Sequence, residues 1–284
     1  MIENIKTIAV AGAGAMGAGI AQVFAQAGYE VKLFDLSTAQ LDKAKAGIAD
    51  NLSGAVAKGK LTEQTKTDTL AKIHFTADIN TLTAELVIEA IVEKLEVKKD
   101  LFKTIAALNP PTTILASNTS SLPITQIAAG IPNPARVVGM HFFNPAHIMK
   151  LVEVISGAET STEVTETMKA LTVKIGKTLV VAKDSPGFIV NRVARHYYVE
   201  SLAMLEERVA PLETIDALME SAGFRMGPFT LMDTVGNDIN FAVTSSLYHS
   251  FHQVAKFRPS RIQQQKVDAG HFGKKTGKGF YNYG

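Results

Sequence analysis

Apolar positions follow two patterns along the chain. In the first two thirds, short runs rich in β-branched residues, at 5–11, 30–34, 73–76, 86–90, 113–116, 137–143, 151–155 and 178–182, have the length of buried strands. Between several of them, at 15–26, 95–108 and 162–175, apolar residues recur every three or four positions, as on one face of a helix. Residues 37–70 are also helix-like but more polar and break near Gly59-Lys60-Leu61, with Thr62 suited to cap a second helix. Alternation of strand and helix indicates a parallel, doubly wound sheet, and the inserted pair should project from it. After the turn Asp184-Ser185-Pro186-Gly187 only the helical period continues, at 188–208, 212–221, 229–235, 238–253 and 259–269. The expected organisation is therefore an α/β domain over residues 1–184 and an all-α domain over residues 185–284. No fixed-period repeat and no low-complexity linker separates them.

The first strand breaks into Gly12-Ala13-Gly14-Ala15-Met16-Gly17 and runs on into a helix that Gly28 stops. Gly-x-Gly-x-x-Gly alone is a weak signal, but strand, glycine turn and helix together make a dinucleotide-binding unit of the Rossmann type. Gly12 permits the turn, Gly14 lets a pyrophosphate approach the backbone, and Gly17 lets helix and strand pack closely. The second strand ends in Asp35, eighteen positions beyond Gly17. An acid there accepts hydrogen bonds from ribose hydroxyls and repels a 2′-phosphate, which favours NAD over NADP. The alternative is a solvated acid at a strand end, ahead of a Ser37-x-x-Gln40 capping box. In such sheets ligands lie beyond the carboxyl ends of the strands, so Glu89, Glu93 and Lys98 after one strand, and Ser117-Asn118-Thr119-Ser120-Ser121 after another, should face the cofactor. A serine-rich loop that merely caps the helix at Pro123 is the plainer reading of the second segment.

Two apolar runs carry ionisable residues that a plain core would exclude: His141 in His141-Phe142-Phe143-Asn144-Pro145, and Glu153 in Leu151-Val152-Glu153-Val154. If the strands are neighbours, the carboxylate can hold one imidazole nitrogen, fix the tautomer and make the other nitrogen a better proton acceptor. That is a general base. A lone histidine on a strand is more often a satisfied core residue; the carboxylate, Asn144 and the upstream nucleotide loop favour chemistry here. His74, His147, His196, His249, His252 and His271 show no metal-ligand spacing, so no metal is expected.

Composition narrows the picture. With 284 residues, 46% hydrophobic and 20% charged, the chain has material for a sizeable core. A net charge of +2 gives no reason to expect a nucleic-acid or anionic-membrane partner. Cysteine is absent, which excludes disulfides and fits a cytoplasmic setting. The early first strand leaves no room for a leader, and no apolar run approaches the ~20 residues of a membrane helix.

The His141–Pro145 segment with Glu153, then Pro186-Gly187-Phe188-Ile189-Val190-Asn191-Arg192, Met226-Gly227-Pro228-Phe229 with Asp233 and Gly236, and the closing Gly273-Lys274-Lys275-Thr276-Gly277-Lys278-Gly279-Phe280-Tyr281 together resemble the (S)-3-hydroxyacyl-CoA dehydrogenase family, close to its bacterial 3-hydroxybutyryl-CoA members. The resemblance covers essentially the whole chain. It implies NAD-dependent oxidation of a 3-hydroxyacyl-CoA thioester, and the reverse reduction, by a homodimer whose helical domain serves substrate binding and dimerisation. By position it implies His141 as the base, Glu153 as its partner, and Ser120 and Asn191 as holders of the substrate oxygen. Gly12, Gly14, Gly17 and Asp35, with Glu93, Lys98, Asn144 and Lys275, would contact the cofactor. Lys58 would contact coenzyme A; where some members carry a CoA-contacting serine seven residues earlier, this chain has Asn51. Two other readings remain open: a dehydrogenase of a free hydroxy acid on the same plan, and a dinucleotide-binding relative without turnover.

Overall fold

The computed structural model describes residues 2–284, which divide into two compact units, the first ending at Ser185 and the second running from Pro186 to Gly284. In the first, β1 (Thr7–Ala11), α1 (Ala15–Gln26) and β2 (Glu30–Phe34) form the opening βαβ unit. α2 (Thr38–Ala57) and α3 (Glu63–Ala71) then make the helical pair, followed by β3 (Ile73–Thr76), β4 (Leu86–Glu89), α4 (Leu95–Leu108), β5 (Ile114–Ser117) and α5 (Ile124–Ala128). β6 (Val137–Phe142), β7 (Leu151–Ser156), α6 (Thr162–Lys174) and β8 (Thr178–Lys183) complete the unit. The strands form one eight-stranded sheet in the order β3-β2-β1-β4-β5-β6-β7-β8.

From β3 to β6 the strands are parallel, and the order reverses between β1 and β4. The expectation of a wholly parallel sheet needs correction: β7 runs antiparallel to β6, and β8 is parallel to β7. A parallel return needs a crossover of roughly a dozen residues or more. Residues 143–150 contain no helix to make one, so the chain turns straight back. The reversal sets His141 directly opposite Glu153 in the register.

α2 is anchored as far as Leu52, with Leu41, Ala44, Ile48 and Leu52 buried; beyond Leu52 its side chains are half-buried or exposed. Thr62 caps α3 as expected, its side chain accepting from Thr65 N–H. The Ser37-x-x-Gln40 box is only half formed. Ser37 Oγ accepts from Gln40 N–H at 3.2 Å, but the Gln40 amide donates to the Ala13 carbonyl at 2.9 Å, and Asp35 takes the Ser37 N–H. Nor do the loop serines cap α5. Asp184, sixty residues on, accepts from the Ile124 and Thr125 N–H groups at 2.8 and 2.7 Å.

The second unit consists of α7 (Val190–Glu206), α8 (Leu212–Ser221), α9 (Pro228–Val235), α10 (Asn237–Ser250) and α11 (Arg261–Asp268) around Tyr198, Leu202, Ile215, Phe229 and Met232. α7 starts two residues later than the periodicity suggests, because Phe188 takes a left-handed conformation, φ 48°. Buried Arg195 ties α7 to α10. Arg195 donates to the Asn240 carbonyl and to Thr244 Oγ1, both at 2.9 Å. Among the described residues no helix is long and apolar enough to cross a membrane.

Candidate active site

The parallel strands deliver their loops to one end of the sheet. Gly12 follows β1 with φ +103°, a conformation that L side chains rarely adopt, and a Cβ on Gly17 would collide with the Gly12 carbonyl. Gly14 differs, since a Cβ built there meets nothing within 4 Å. Open space in front of Gly14, at the N-terminus of α1, is what a pyrophosphate requires, so the turn fits a dinucleotide. Asp35 closes the turn from the side: Oδ2 accepts from Ala13 N–H and Oδ1 from Ser37 N–H, each at 2.9 Å. A largely apolar cavity of about 780 Å³ opens beside it, lined by Phe34, Asp35, Ile79, Ile91, Val97 and Leu101. Its size and lining suit a flat heterocycle.

Beyond β4 the expectation that Glu89 faces the ligand gives way to a different arrangement. Glu89 is fully buried and Lys98 1% exposed, and their charged atoms lie 2.5 Å apart. Lys98 also reaches Glu93 Oε2 at 3.0 Å, and Glu93 is 37% exposed. The other Glu93 oxygen accepts from Thr119 Oγ1 at 2.6 Å, Ser120 N–H at 2.9 Å and Ser121 N–H at 3.3 Å. Burial pushes the Glu93 pKa up, but the Lys98 charge and the bonds from Thr119 and Ser120 outweigh it and hold the carboxyl below its ordinary value.

His141 and Glu153 meet across β6 and β7. Nδ1 lies 2.8 Å from Oε2, and both residues are buried. An ionised carboxylate can only accept, so Nδ1 carries the hydrogen and Nε2 is left as the basic nitrogen. Asn118 ties the serine loop to the same strand, its Oδ1 accepting from Phe142 N–H at 2.8 Å. Ser117 pairs with Gly139, so Ser120 and His141 emerge at the same ends of neighbouring strands.

Asn144 is exposed at the start of the turn after β6, joined to Pro145 by a cis peptide bond. Ala146 packs against Gly19, where a Cβ would come within 3.1 Å of the Ala146 methyl. Lys177 staples the turn from below, donating to the Ala146 and Met149 carbonyls at 2.6 and 2.8 Å. A cavity of about 340 Å³ lies between the glycine turn, α2 and this segment, bordered by Gly14, Lys43, Asn51, Asn144 and His147. A second, of about 490 Å³, shares Asn51 and His147 and continues to Lys58 and Lys60. Burial, and then the Lys177 charge, hold the His147 imidazole below its ordinary pKa, so it is neutral near pH 7. Asn51 also donates to Gln22 at 3.4 Å. The groove therefore joins the glycine turn, Asn144, Asn51 and Lys58. Asn191 and Lys275 belong to the helical unit. Asn191 lies in the first turn of α7, and Lys275 Nζ is 2.7 Å from the Asp238 carboxylate.

Two family models match consecutively: the 3-hydroxyacyl-CoA dehydrogenase NAD binding domain over residues 7–185 and the C-terminal domain of the same family over residues 187–283. The chain belongs to the 3-hydroxyacyl-CoA dehydrogenase family. A 3-hydroxyadipyl-CoA dehydrogenase of Escherichia coli is 52% identical across the whole chain, which covers 60% of that relative. A crystal structure from E. coli named as a 3-hydroxybutyryl-CoA dehydrogenase superposes with a TM-score of 0.96 at 51% identity, over 99% of this chain and 60% of that one. The (S)-3-hydroxybutyryl-CoA dehydrogenase of Ralstonia eutropha gives 0.95 at 39% identity, over 99% of this chain and all of its own. The chain thus spans 60% of the length of the E. coli relatives and the full length of the R. eutropha protein. As a member of the dehydrogenase family it is an NAD-dependent oxidoreductase. Sequence reasoning missed the supports of this candidate site: the Gln40 bond to Ala13, Glu89 as the buried partner of Lys98, the Asn118 link to β6 and the Asp184 cap. Their partners lie 9 to 60 residues away, and no local pattern announces them.

Proposed function

We propose that the chain interconverts a short-chain (S)-3-hydroxyacyl-CoA and its 3-oxoacyl-CoA, with residues 1–184 binding NAD and residues 185–284 serving substrate binding and dimerisation. The observation that carries this reading is the buried His141–Glu153 pair at the strand ends that also bear the glycine turn and the Ser120 loop. Bound NAD+ supplies the hydride acceptor. His141 Nε2 takes the proton from the substrate hydroxyl, and Glu153 fixes the tautomer and stabilises the imidazolium that results. Ser120 and Asn191 hold the reacting oxygen, so that one face of the carbon is presented. Gly12, Gly14, Gly17 and Asp35, with Glu93, Asn144 and Lys275, and with Lys98 behind Glu93, serve the dinucleotide. Asn51 and Lys58 in the groove serve coenzyme A, where Asn51 can hydrogen-bond and Lys58 can meet a phosphate. Exposed Val193, Leu218, Phe224 and Ile239 on the helical unit support a homodimer. A cytoplasmic setting is part of the same proposal, supported by the bacterial relatives.

Loss of NADH absorbance with acetoacetyl-CoA, run beside free acetoacetate and beside NADPH, tests the reading. Turnover confined to the thioester with NADH is expected. Turnover of the free acid would point to a hydroxy-acid dehydrogenase, and NADH binding without turnover to a binding protein. The name of the 52%-identical relative adds a dicarboxylic 3-oxoacyl-CoA as a second thioester to compare.

A further inference from the structure

We propose that Glu89 is a positioning residue for the reaction: it fixes Lys98, Lys98 fixes Glu93, and Glu93 gathers the turn that presents Ser120. The inference rests on the reading above, in which Ser120 holds the substrate oxygen.

The chain of contacts starts in the core and ends at the rim. Glu89 closes β4 and is held at both oxygens: Oε1 accepts from Ile91 N–H at 2.8 Å as well as from Lys98, and Oε2 accepts from Ser117 Oγ at 2.7 Å. A carboxylate fixed this way, with no exposure, is a rigid point of reference. Lys98 rises from α4 toward it, and a second bond of the same ammonium group takes Glu93 Oε2. Glu93 stands in the loop after β4 and has no strand or helix to hold it. Its other oxygen is the shared acceptor for the Thr119, Ser120 and Ser121 donors, so its position sets the shape of that turn. Ser117, the last residue of β5, bonds Glu89 directly, which ties both ends of the serine loop to one buried acid.

A purely structural ion pair would not need this layout. A buried pair can often be replaced by apolar groups of similar volume without loss of stability, so its presence is weak evidence for a stabilising role. Here one lysine is shared by two carboxylates, and the outer one is spent on the backbone of a loop. A small displacement there is transmitted to a group that must hold a reacting oxygen, where an error of about 1 Å costs on the order of a hundredfold in rate.

The test uses the full chain with acetoacetyl-CoA and NADH, in Glu89→Gln, Glu93→Gln and the double variant, with Ser120→Ala as reference. Glu89→Gln should lower kcat on the order of tenfold or more with a much smaller change in KM and in NADH affinity. In the Glu93→Gln background the same change should cost distinctly less than it does alone, since of the route to Ser120 only the direct Ser117 bond remains. Losses that multiply would overturn the proposal, as would wild-type kcat in Glu89→Gln. Should Glu89→Gln fail to fold, Ser117→Ala removes the Oε2 bond and, at the same hydroxyl, the 3.2 Å bond from Thr119 N–H, both of which fix the serine loop: a several-fold fall in kcat supports the proposal and wild-type kcat overturns it. Wild-type turnover in Ser120→Ala would instead remove the reading of Ser120 on which the inference stands.

Discussion

Both units bury carboxylates, and they partner them differently. In the sheet unit Glu153 is bonded to His141 and Glu89 to Lys98, side chains that carry or exchange a proton. In the helical unit the partners do not change charge. Asp216 accepts from the Phe229 and Thr230 N–H groups and from Tyr281 Oη, all at 2.9 Å. Asp233 accepts from Asn237, from the Phe280 and Tyr281 N–H groups and from Tyr283 Oη. Burial, together with the neighbouring carboxylates, pushes both tyrosine hydroxyls up, so they remain donors. The first set lies in the strands of the sheet, Glu89 at the end of β4 and Glu153 within β7. The second caps α9 and pins the C-terminal segment to it. The type of partner, more than burial itself, separates chemistry from architecture.

The contrast can be broken at either side. The largest effect is expected for His141→Ala, which should lower kcat by about a thousandfold while leaving NADH affinity near wild type. Turnover assays and a fluorescence titration check it, and unchanged turnover would put the chemistry elsewhere. Asp233→Asn should act on stability: an amide cannot accept all four bonds, and a loss of about 1–3 kcal/mol is expected. Urea unfolding measures that loss, and a large fall in kcat at unchanged stability would erase the distinction between the two units. The smallest effect concerns acid. The Glu93 carboxyl lies below its ordinary value of 4.5 in the folded chain, so its contribution is complete above that pH and is lost as pH falls through the lower folded-state value. Stability measured between about pH 5 and pH 3 should therefore fall less steeply in Glu93→Gln than in the parent chain. An identical slope would mean that Glu93 does not contribute.

The elements were legible wherever one period dominated. The bounds of β2, β3 and α4 follow directly from apolar runs and spacing, and Thr62 announced the cap of α3. The reversal at β7 was not, because a buried strand reads alike in either direction and only the missing crossover decides. Glu89 illustrates the limit at the site. It stands at a strand end, where an acid suggests a ligand contact, yet it is sealed beneath Lys98. Side-chain direction at a strand end depends on partners far along the chain, and hydrophobic patterning carries no record of them. Gly12 and Gly17 were legible for the opposite reason: their need is set by the backbone of one turn.

The central claim is that His141 and Glu153 work as one proton-transfer unit. A double-mutant cycle on kcat with acetoacetyl-CoA and NADH tests it most directly, comparing His141→Ala, Glu153→Gln and the two combined. If the pair is a unit, Glu153→Gln alone is slow, and the combined variant is no slower than His141→Ala within about twofold, because a carboxylate with no imidazole to orient has nothing left to contribute. Losses that multiply in the combined variant would mean that the two residues act independently, and would contradict the account.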